Sequence, residues 1–292
     1  MMKAALIHKY GQKELSIEEV PLPTIHDNDV LVKIIAASIN PIDLKTKDGK
    51  VKMLLNYQMP LILGSDFAGI VVSVGKNVQN FRLGDAVYGR VPKNRVGTFA
   101  EYIAVDQAAV AMKPKNLTFE EAAAIPLVGL TSYQALHDIM NVQPGQKVLI
   151  QAGSGGIGTI AIQLAKLAGA YVATTTSSKN KEWVQALGAD EVIDYRTQNF
   201  EEVLSDYDYV FDTMGGTILE KAFSVVKPQG KVVTLSGIPN ERFAKEYGLP
   251  LWKQWAFKIA TRKIHRLEQA TDVSYHFLFM RPDGEQLALL TE

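Results

Sequence analysis

The sequence predicts an α/β protein in which a strand-rich N-terminal domain precedes a doubly wound parallel sheet. Short strand-like segments crowd the first hundred residues, strands and helices alternate from residue 147 onward, and the glycine cluster "AGSGGIG" (152–158) marks the first strand-to-helix junction of that alternation. At 292 residues the chain is long enough for two hydrophobic cores.

The N-terminal elements come first. "DVLVKIIAASI" (29–39) and "AGIVVSVG" (68–75) combine apolar runs with two-residue alternation, and "FRLGDAVYG" (81–89) and "GTFAEYIAVD" (97–106) are short strands punctuated by Gly and Asp turns. Several strands at short spacing, with little helical rhythm between them, predict a compact β-barrel-like domain. A helix follows "NLTFEE", where Thr118 and Glu121 form a capping-box pair. Beyond it, strands are predicted at 147–151, 171–175, 191–194, 208–212, 231–235 and 273–279. Helices are predicted at 156–168, 179–187 (closed by Gly188), 198–205 and 216–226. Such alternation implies a parallel sheet covered on both faces. The Trp-rich, basic stretch "LWKQWAFKIATRKIHRLEQA" predicts a further helix before the last strand, its basic residues forming either a solvated face or a phosphate contact.

Composition narrows the function. Thirty-one basic residues balance thirty-one acidic ones, so the mean charge gives no footprint for nucleic acid or an anionic membrane. The chain has no cysteine, which removes disulfides, thiolate nucleophiles, iron–sulfur clusters and cysteine-based zinc sites. "MMKAALIHKYG" is too short in its apolar core for a signal peptide, and no run approaches the ~18 apolar residues of a membrane span, so a cytoplasmic protein is expected.

Gly153, Gly155 and Gly158 fit G-x-G-x-x-G directly after a strand and directly before a helix. That helix carries an apolar stripe of Ile157, Ile160, Ala161, Leu164, Ala165 and Ala168. In this context the glycines permit a tight turn, close approach of a pyrophosphate and close helix–strand packing, and the helix N-terminus attracts the phosphates. Gly153, Gly155, Gly156, Ile157 and Gly158 are therefore the expected dinucleotide contacts. An NAD site places an acid about 20 residues on, to accept from the ribose 2′-OH. No acid occurs between Gly169 and Asn180; Ser177, Ser178, Lys179 and Lys181 follow the strand instead. Hydroxyls and ammonium groups suit a 2′-phosphate, which favours NADP(H), the alternative being a merely solvated loop.

Landmarks through almost the whole chain then point to a family. "INPIDLK" (39–45), "GSDFAGIVVSVGKNV" (64–78), "GTFAEY" (97–102), "AAAIPLVGLTSYQAL" (122–136), "LGADEVIDY" (187–195), "VFDTMGG" (210–216) and "FLFMRPDGEQL" (277–287) flank the glycine motif in order. With them the sequence resembles the medium-chain dehydrogenase/reductase superfamily, in its zinc-independent quinone oxidoreductase and alkenal/enone reductase branch. The resemblance implies a GroES-like β-barrel catalytic domain over 1–120 and a Rossmann NADP-binding domain over 121–265. The remaining 266–292 would hold the last Rossmann strand and the start of a return to the catalytic domain, the family pattern running a few dozen residues further. It also implies that Ser177, Lys181 and Tyr195, with Ser178 as helper, surround the 2′-phosphate. Thr131 would touch the nicotinamide, and Ser236, Gly237, Phe277 and Phe279 would line its pocket largely through backbone. Such proteins commonly form homodimers through the edge of the Rossmann sheet.

The expected chemistry is hydride transfer to a small-molecule quinone or α,β-unsaturated carbonyl, with no metal, no nucleic acid and no membrane partner. The five scattered histidines and absent cysteines offer no ligand set, and "GSD" replaces the "GHE" of zinc-dependent relatives. Hydride addition to a conjugated acceptor leaves a delocalised anion that hydrogen bonds can hold. The catalytic candidates are Asn40, as donor or as a structural Asn-Pro turn, Asp43, as structural acceptor or acid, and Tyr57, as proton donor or packing group. The competing reading is a non-catalytic NADPH-binding sensor or structural protein. A short-chain reductase is disfavoured, because Tyr-x-x-x-Lys occurs nowhere.

Overall fold

The computed structural model describes residues 1–292 and divides into two compact units, Met1–Leu130 with Arg281–Glu292, and Thr131–Met280. The first unit contains strands β1 (Met2–Ile7), β2 (Ser16–Val20) and β3 (Asp29–Ala36), helix α1 (Pro41–Lys47), then β4 (Leu61–Ile62), β5 (Asp66–Val74), β6 (Ala86–Arg90), β7 (Tyr102–Asp106) and β8 (Val110–Met112). Helix α2 (Phe119–Ala123) follows, and the division between units falls within α3 (Pro126–Tyr133). Five strands form an antiparallel sheet in the order β7-β3-β5-β6-β8, and β2-β1-β4 form a smaller one. Two-residue alternation puts Val30 and Val32 of β3 into a core with Phe67, Val71, Val87 and Val105 while Lys33 faces solvent.

Two predicted strands start late for a local reason. Arg82 N donates to Asp85 Oδ2 at 2.8 Å and Gly84 adopts φ +90°, so residues 81–85 form a turn and β6 begins at Ala86. Likewise only Tyr102–Asp106 of 97–106 pairs as a strand. Helix α1 was invisible to periodicity because it spans 7 residues; Pro41 opens it and the Asp43 carboxylate accepts from Asn40 N. The C-terminal helix Gly284–Thr291 is pinned to this unit by Tyr88, whose hydroxyl donates to Leu287 O at 2.7 Å.

The second unit is a six-stranded parallel sheet of β9 (Lys147–Ile150), β10 (Tyr171–Thr176), β11 (Glu191–Asp194), β12 (Tyr207–Asp212), β13 (Val226–Thr234) and β14 (Ser274–Phe277), in the order β11-β10-β9-β12-β13-β14. Its helices are α4 (Gly156–Leu167), α5 (Lys181–Ala186), α6 (Phe200–Val203), α7 (Gly216–Ala222), α8 (Glu241–Glu246), α9 (Leu251–Ala260) and α10 (Arg262–Thr271). Val148 and Ile150 pack with Ala161, Ile162 and Ala165 of α4, whereas Leu149 packs with Leu219 and Phe223 beside α7. Alternate residues of one strand thus serve two cores, as a doubly wound sheet requires. Truncating one of these side chains, as in Ile162→Ala, costs about 2–5 kcal/mol.

The predicted helix 216–226 stops at Ala222 because β13 begins at Val226, earlier than expected. On the outer edge, Tyr275 N of β14 donates to Glu268 at 2.8 Å, and Asn240 and Arg242 reach Tyr275 O at 3.4 Å, so side chains cap that part of the edge. No helix is long and apolar enough to cross a membrane.

Candidate functional site

The sheet order reverses between β9 and β12, and ligands of open α/β sheets bind beyond the carboxyl ends of strands at such a reversal. The chain leaving β9 is the glycine turn. At Gly158 a Cβ would stand 2.4 Å from Ala152 O and 2.6 Å from Gly153 Cα, and at Gly153 it would stand 2.0 Å from the Thr174 hydroxyl, so both positions exclude a side chain by packing. Gly155 differs. Its nearest neighbour is Ala152 O at 3.2 Å, and Gly155 and Gly156 are exposed, so bare backbone there faces outward.

Helix α4 starts behind this turn with no side-chain cap and no acidic residue in its first turn. Elsewhere α2 is capped reciprocally by Thr118 and Glu121, and α8 by Asn240. The first N–H groups of α4, including those of Gly156, Ile157 and Gly158, are left for an anion, whose charge the helix dipole favours. This donor set and the open face at Gly155 fit a pyrophosphate.

Beyond β10, Ser177 is buried at 4% exposure while Lys181 is exposed, as is Tyr195 after β11. Ser178 N donates to Asp194 Oδ2 at 2.9 Å, which commits Ser178 to that carboxylate. Asp194 lies below the ordinary carboxylate range, first through the N–H of Arg196 and then through Ser178. Arg196 stands with its guanidinium 5.8 Å from the Tyr195 ring, a cation beside this loop that the sequence reading passed over although it adjoins "DY".

The remaining cofactor candidates occupy strand ends of the same unit. Thr131 is buried at the end of α3. Thr234 Oγ1 donates to the buried Asp212 and accepts from Ser236 N at 3.2 Å and Gly237 N at 3.0 Å, fixing the turn after β13. Gly237 leaves room for the Tyr275 hydroxyl, which a Cβ would meet at 2.3 Å. The rings of Phe277 and Phe279 pack edge-on against Phe243 and Tyr247, at 5.1 and 5.6 Å between centroids. Their side chains thus serve packing against α8.

Asn40 and Asp43 come together in the first unit. Asn40 Nδ2 donates to Ser38 Oγ at 3.1 Å and to Asp66 Oδ2 at 2.9 Å, so both amide hydrogens are engaged. Asp43 accepts from Asn40 N at 2.8 Å and from Ser65 Oγ at 2.9 Å, and burial raises its carboxyl. Asp66 was missed as a site residue. It is fully buried, its Oδ2 also accepts from Ser38 and Leu127 N, and its Oδ1 has no hydrogen-bond partner. Burial pushes its carboxyl up to about 7, against the lowering pull of the Asn40 amide and then the Arg90 guanidinium. An ionised Oδ1 without a donor costs about 1–3 kcal/mol or more, so the neutral acid persists toward neutrality. Tyr57 is elsewhere: it packs on Ile7, Leu61 and Leu63, and its backbone N donates to the Tyr10 hydroxyl at 2.8 Å. A catalytic zinc does not fit these residues, since the chain has no cysteine and no grouping of three His, Asp or Glu side chains.

The sequence pattern of the alcohol dehydrogenase GroES-like domain matches residues 26–115, and that of the zinc-binding dehydrogenase matches 156–268. The chain is 42% identical to the 2-methylene-furan-3-one reductase of Solanum lycopersicum and 39% identical to the chloroplastic NADPH-dependent alkenal/one oxidoreductase of Arabidopsis thaliana, in each case over 83% of this chain. It spans 65% of the length of each of those two relatives. It is 37% identical to the mitochondrial NAD(P)H oxidoreductase RTN4IP1 of Mus musculus over 100% of this chain and 79% of that protein. Among solved structures, the quinone oxidoreductase from Coxiella burnetii superposes with a TM-score of 0.82 at 32% identity, covering 99% of this chain and 86% of that one.

Proposed function

The chain belongs to the quinone oxidoreductase branch of the medium-chain dehydrogenase/reductase superfamily, and from that premise we propose that it reduces quinones or α,β-unsaturated carbonyl compounds with NADPH and without a metal. The observation that carries this reading is the uncapped N-terminus of α4 behind an open glycine turn, followed by a loop that offers Lys181, Tyr195 and Arg196 but no acid of its own to a ribose. Asp194 is close to that loop, yet the backbone N–H groups of Ser178 and Arg196 already meet its charge. The names of the alkenal/one oxidoreductase and the furanone reductase supply the acceptor class.

When bound, NADPH supplies a hydride to the conjugated system of the acceptor, whose oxygen then carries a delocalised negative charge that hydrogen-bond donors can hold. The N–H groups of Gly156, Ile157 and Gly158 would hold the pyrophosphate, Gly153 and Gly155 shaping the turn with their own N–H groups on Thr175 O and Ala152 O, and Ser177, Lys181 and Tyr195 would hold the 2′-phosphate. Thr131 and the backbone of Ser236, Gly237, Phe277 and Phe279 orient the nicotinamide. In the first unit Asp43 fixes the start of α1, and Asn40 spends both amide hydrogens on Ser38 and Asp66. We keep a cytoplasmic location.

The test follows reduced-nicotinamide absorbance with an enone and a quinone in parallel. NADPH is consumed with at least one acceptor, and NADH much more slowly. Binding of NADPH with no consumption by either acceptor would replace this reading with the non-catalytic one.

A further inference from the structure

None of the cofactor or catalytic residues lies on α9 or α10, yet this pair carries an unusual surface. α9 buries Phe257 at 7% exposure and turns Leu251 (81%), Trp252 (64%), Trp255 (68%) and Ile259 (38%) to solvent. With 3.6 residues per turn, 251, 255 and 259 stack on one face with 252 beside them, and Phe257 lies on the other. Thr261 ends α9 and opens α10, its N donating to Phe257 O and its O accepting from His265 N, both at 2.9 Å. Arg262 and Arg266 are exposed on the first turns of α10, and Ile264 between them is buried.

An amphipathic helix ordinarily turns its apolar stripe inward. Here a second apolar stripe faces outward, and two exposed arginines follow on the next helix. Residues 251–266 contain five Lys or Arg and no Asp or Glu, against a whole-chain balance of 31 to 31. Lys258 and Lys263 are paired with Glu241 and Glu220, and the Lys253 ammonium lies 5.4 Å from the Trp252 ring. Arg262 and Arg266 face solvent on the helix that follows the stripe.

We propose that this face docks on an anionic lipid surface, Trp252 and Trp255 entering the headgroup–acyl boundary and Arg262 and Arg266 meeting lipid phosphates. Indole rings prefer that boundary, and basic faces joined to Trp-bearing apolar ones lie in the plane of anionic membranes. A second copy of the same face offers no acid to meet the arginines. Docking is independent of the reductase reading, although a lipophilic quinone acceptor would be concentrated in the same phase.

The test is flotation of the whole chain with vesicles of equal parts phosphatidylcholine and phosphatidylglycerol, beside vesicles of phosphatidylcholine alone. The chain floats with the anionic vesicles, its Trp emission shifts to the blue, and added salt releases it. Trp252→Ala with Trp255→Ala reduces binding about tenfold or more, and Arg262→Gln and Arg266→Gln each reduce it about fivefold. All four side chains are exposed, so these variants keep the parent melting temperature, and Trp183→Phe on α5 leaves binding unchanged. Failure to float, or binding that survives the double Trp variant, overturns the proposal. So does a concentration-dependent dimer that the double Trp variant abolishes, which would make the face an interface between copies.

Discussion

The glycine turn of the second unit and the buried acid cluster of the first are built by opposite means. The turn acts through contiguous backbone, residues 153–158, and its demands are local: a Cβ at Gly158 meets main-chain atoms only five and six residues away. The cluster acts through side chains from distant segments, Ser38, Asn40, Asp43, Ser65, Asp66 and Arg90, with one backbone N–H from Leu127. A local steric demand leaves its mark as consecutive small residues. Burial of an acid depends on everything folded around it and leaves no mark at one position.

The largest effects should come from the turn, and they separate packing from ligand approach. Gly158→Ala places a Cβ 2.4 Å from Ala152 O, which side-chain rotation cannot relieve. We expect a stability loss of about 1–3 kcal/mol from overpacking, together with a loss of NADPH binding of about a hundredfold. Gly155→Ala meets only Ala152 O at 3.2 Å, so the melting temperature stays near the parent's while NADPH binding weakens. Chemical denaturation and cofactor titration of both variants check this. Equal stability losses would mean that Gly155 is a packing residue too.

The acid cluster is probed by pH. The Asp66 carboxyl rises from 3.8 to about 7, so between those values the folded chain holds a proton that the unfolded chain has released. Stability from this group therefore falls as pH rises through that interval, by ~4 kcal/mol in all, and levels off above it. Asp66→Asn keeps the acceptor for Ser38, Asn40 and Leu127 and removes the titration. In urea denaturation the variant gains on the parent between about pH 4 and about pH 7, and a flat difference would show that Asp66 is ionised throughout.

What the sequence made legible follows the same divide. The alternation after residue 147 located all six parallel strands, because each apolar run had to fill two cores and so needed four to six consecutive residues of one character. The Thr118–Glu121 capping box was readable as well, since both partners lie within one turn. Helix α1 was not, being short and capped at its start by Asp43, a side chain read as a structural acceptor or an acid. Asp66 was noticed only as part of "GSD", a motif defined by what it lacked. The groups that act on its carboxylate come from afar, Arg90 on β6, 24 residues on, and Leu127 on α3, 61 residues on.

A smaller effect tests cofactor choice. Lys181 is exposed at the start of α5, so its loss should leave the fold intact. A charge-assisted contact to a phosphate is worth about 1.5–3 kcal/mol, so Lys181→Ala raises KM for NADPH by about tenfold or more with kcat little changed. The KM for NADH should not move. Arg196→Ala should follow the same pattern if Arg196 shares the phosphate. Ser178→Ala should be milder for cofactor binding, because the Ser178 side chain already bonds Asp194.

The smallest expected effect concerns Tyr57. Its ring joins the cluster of Ile7, Leu61 and Leu63, and the Tyr10 hydroxyl bonds both its backbone N at 2.8 Å and its backbone O at 3.3 Å. Tyr57→Phe keeps the ring and should change stability by less than about 0.5 kcal/mol and kcat by less than about twofold. Tyr10→Phe removes the hydroxyl that ties residue 57 and should cost about 1 kcal/mol. A fall in kcat of about a hundredfold or more on Tyr57→Phe alone is the size expected of a lost general acid. That outcome would assign proton donation to the Tyr57 phenol in the loop before β4, rather than leave the residue a packing role alone.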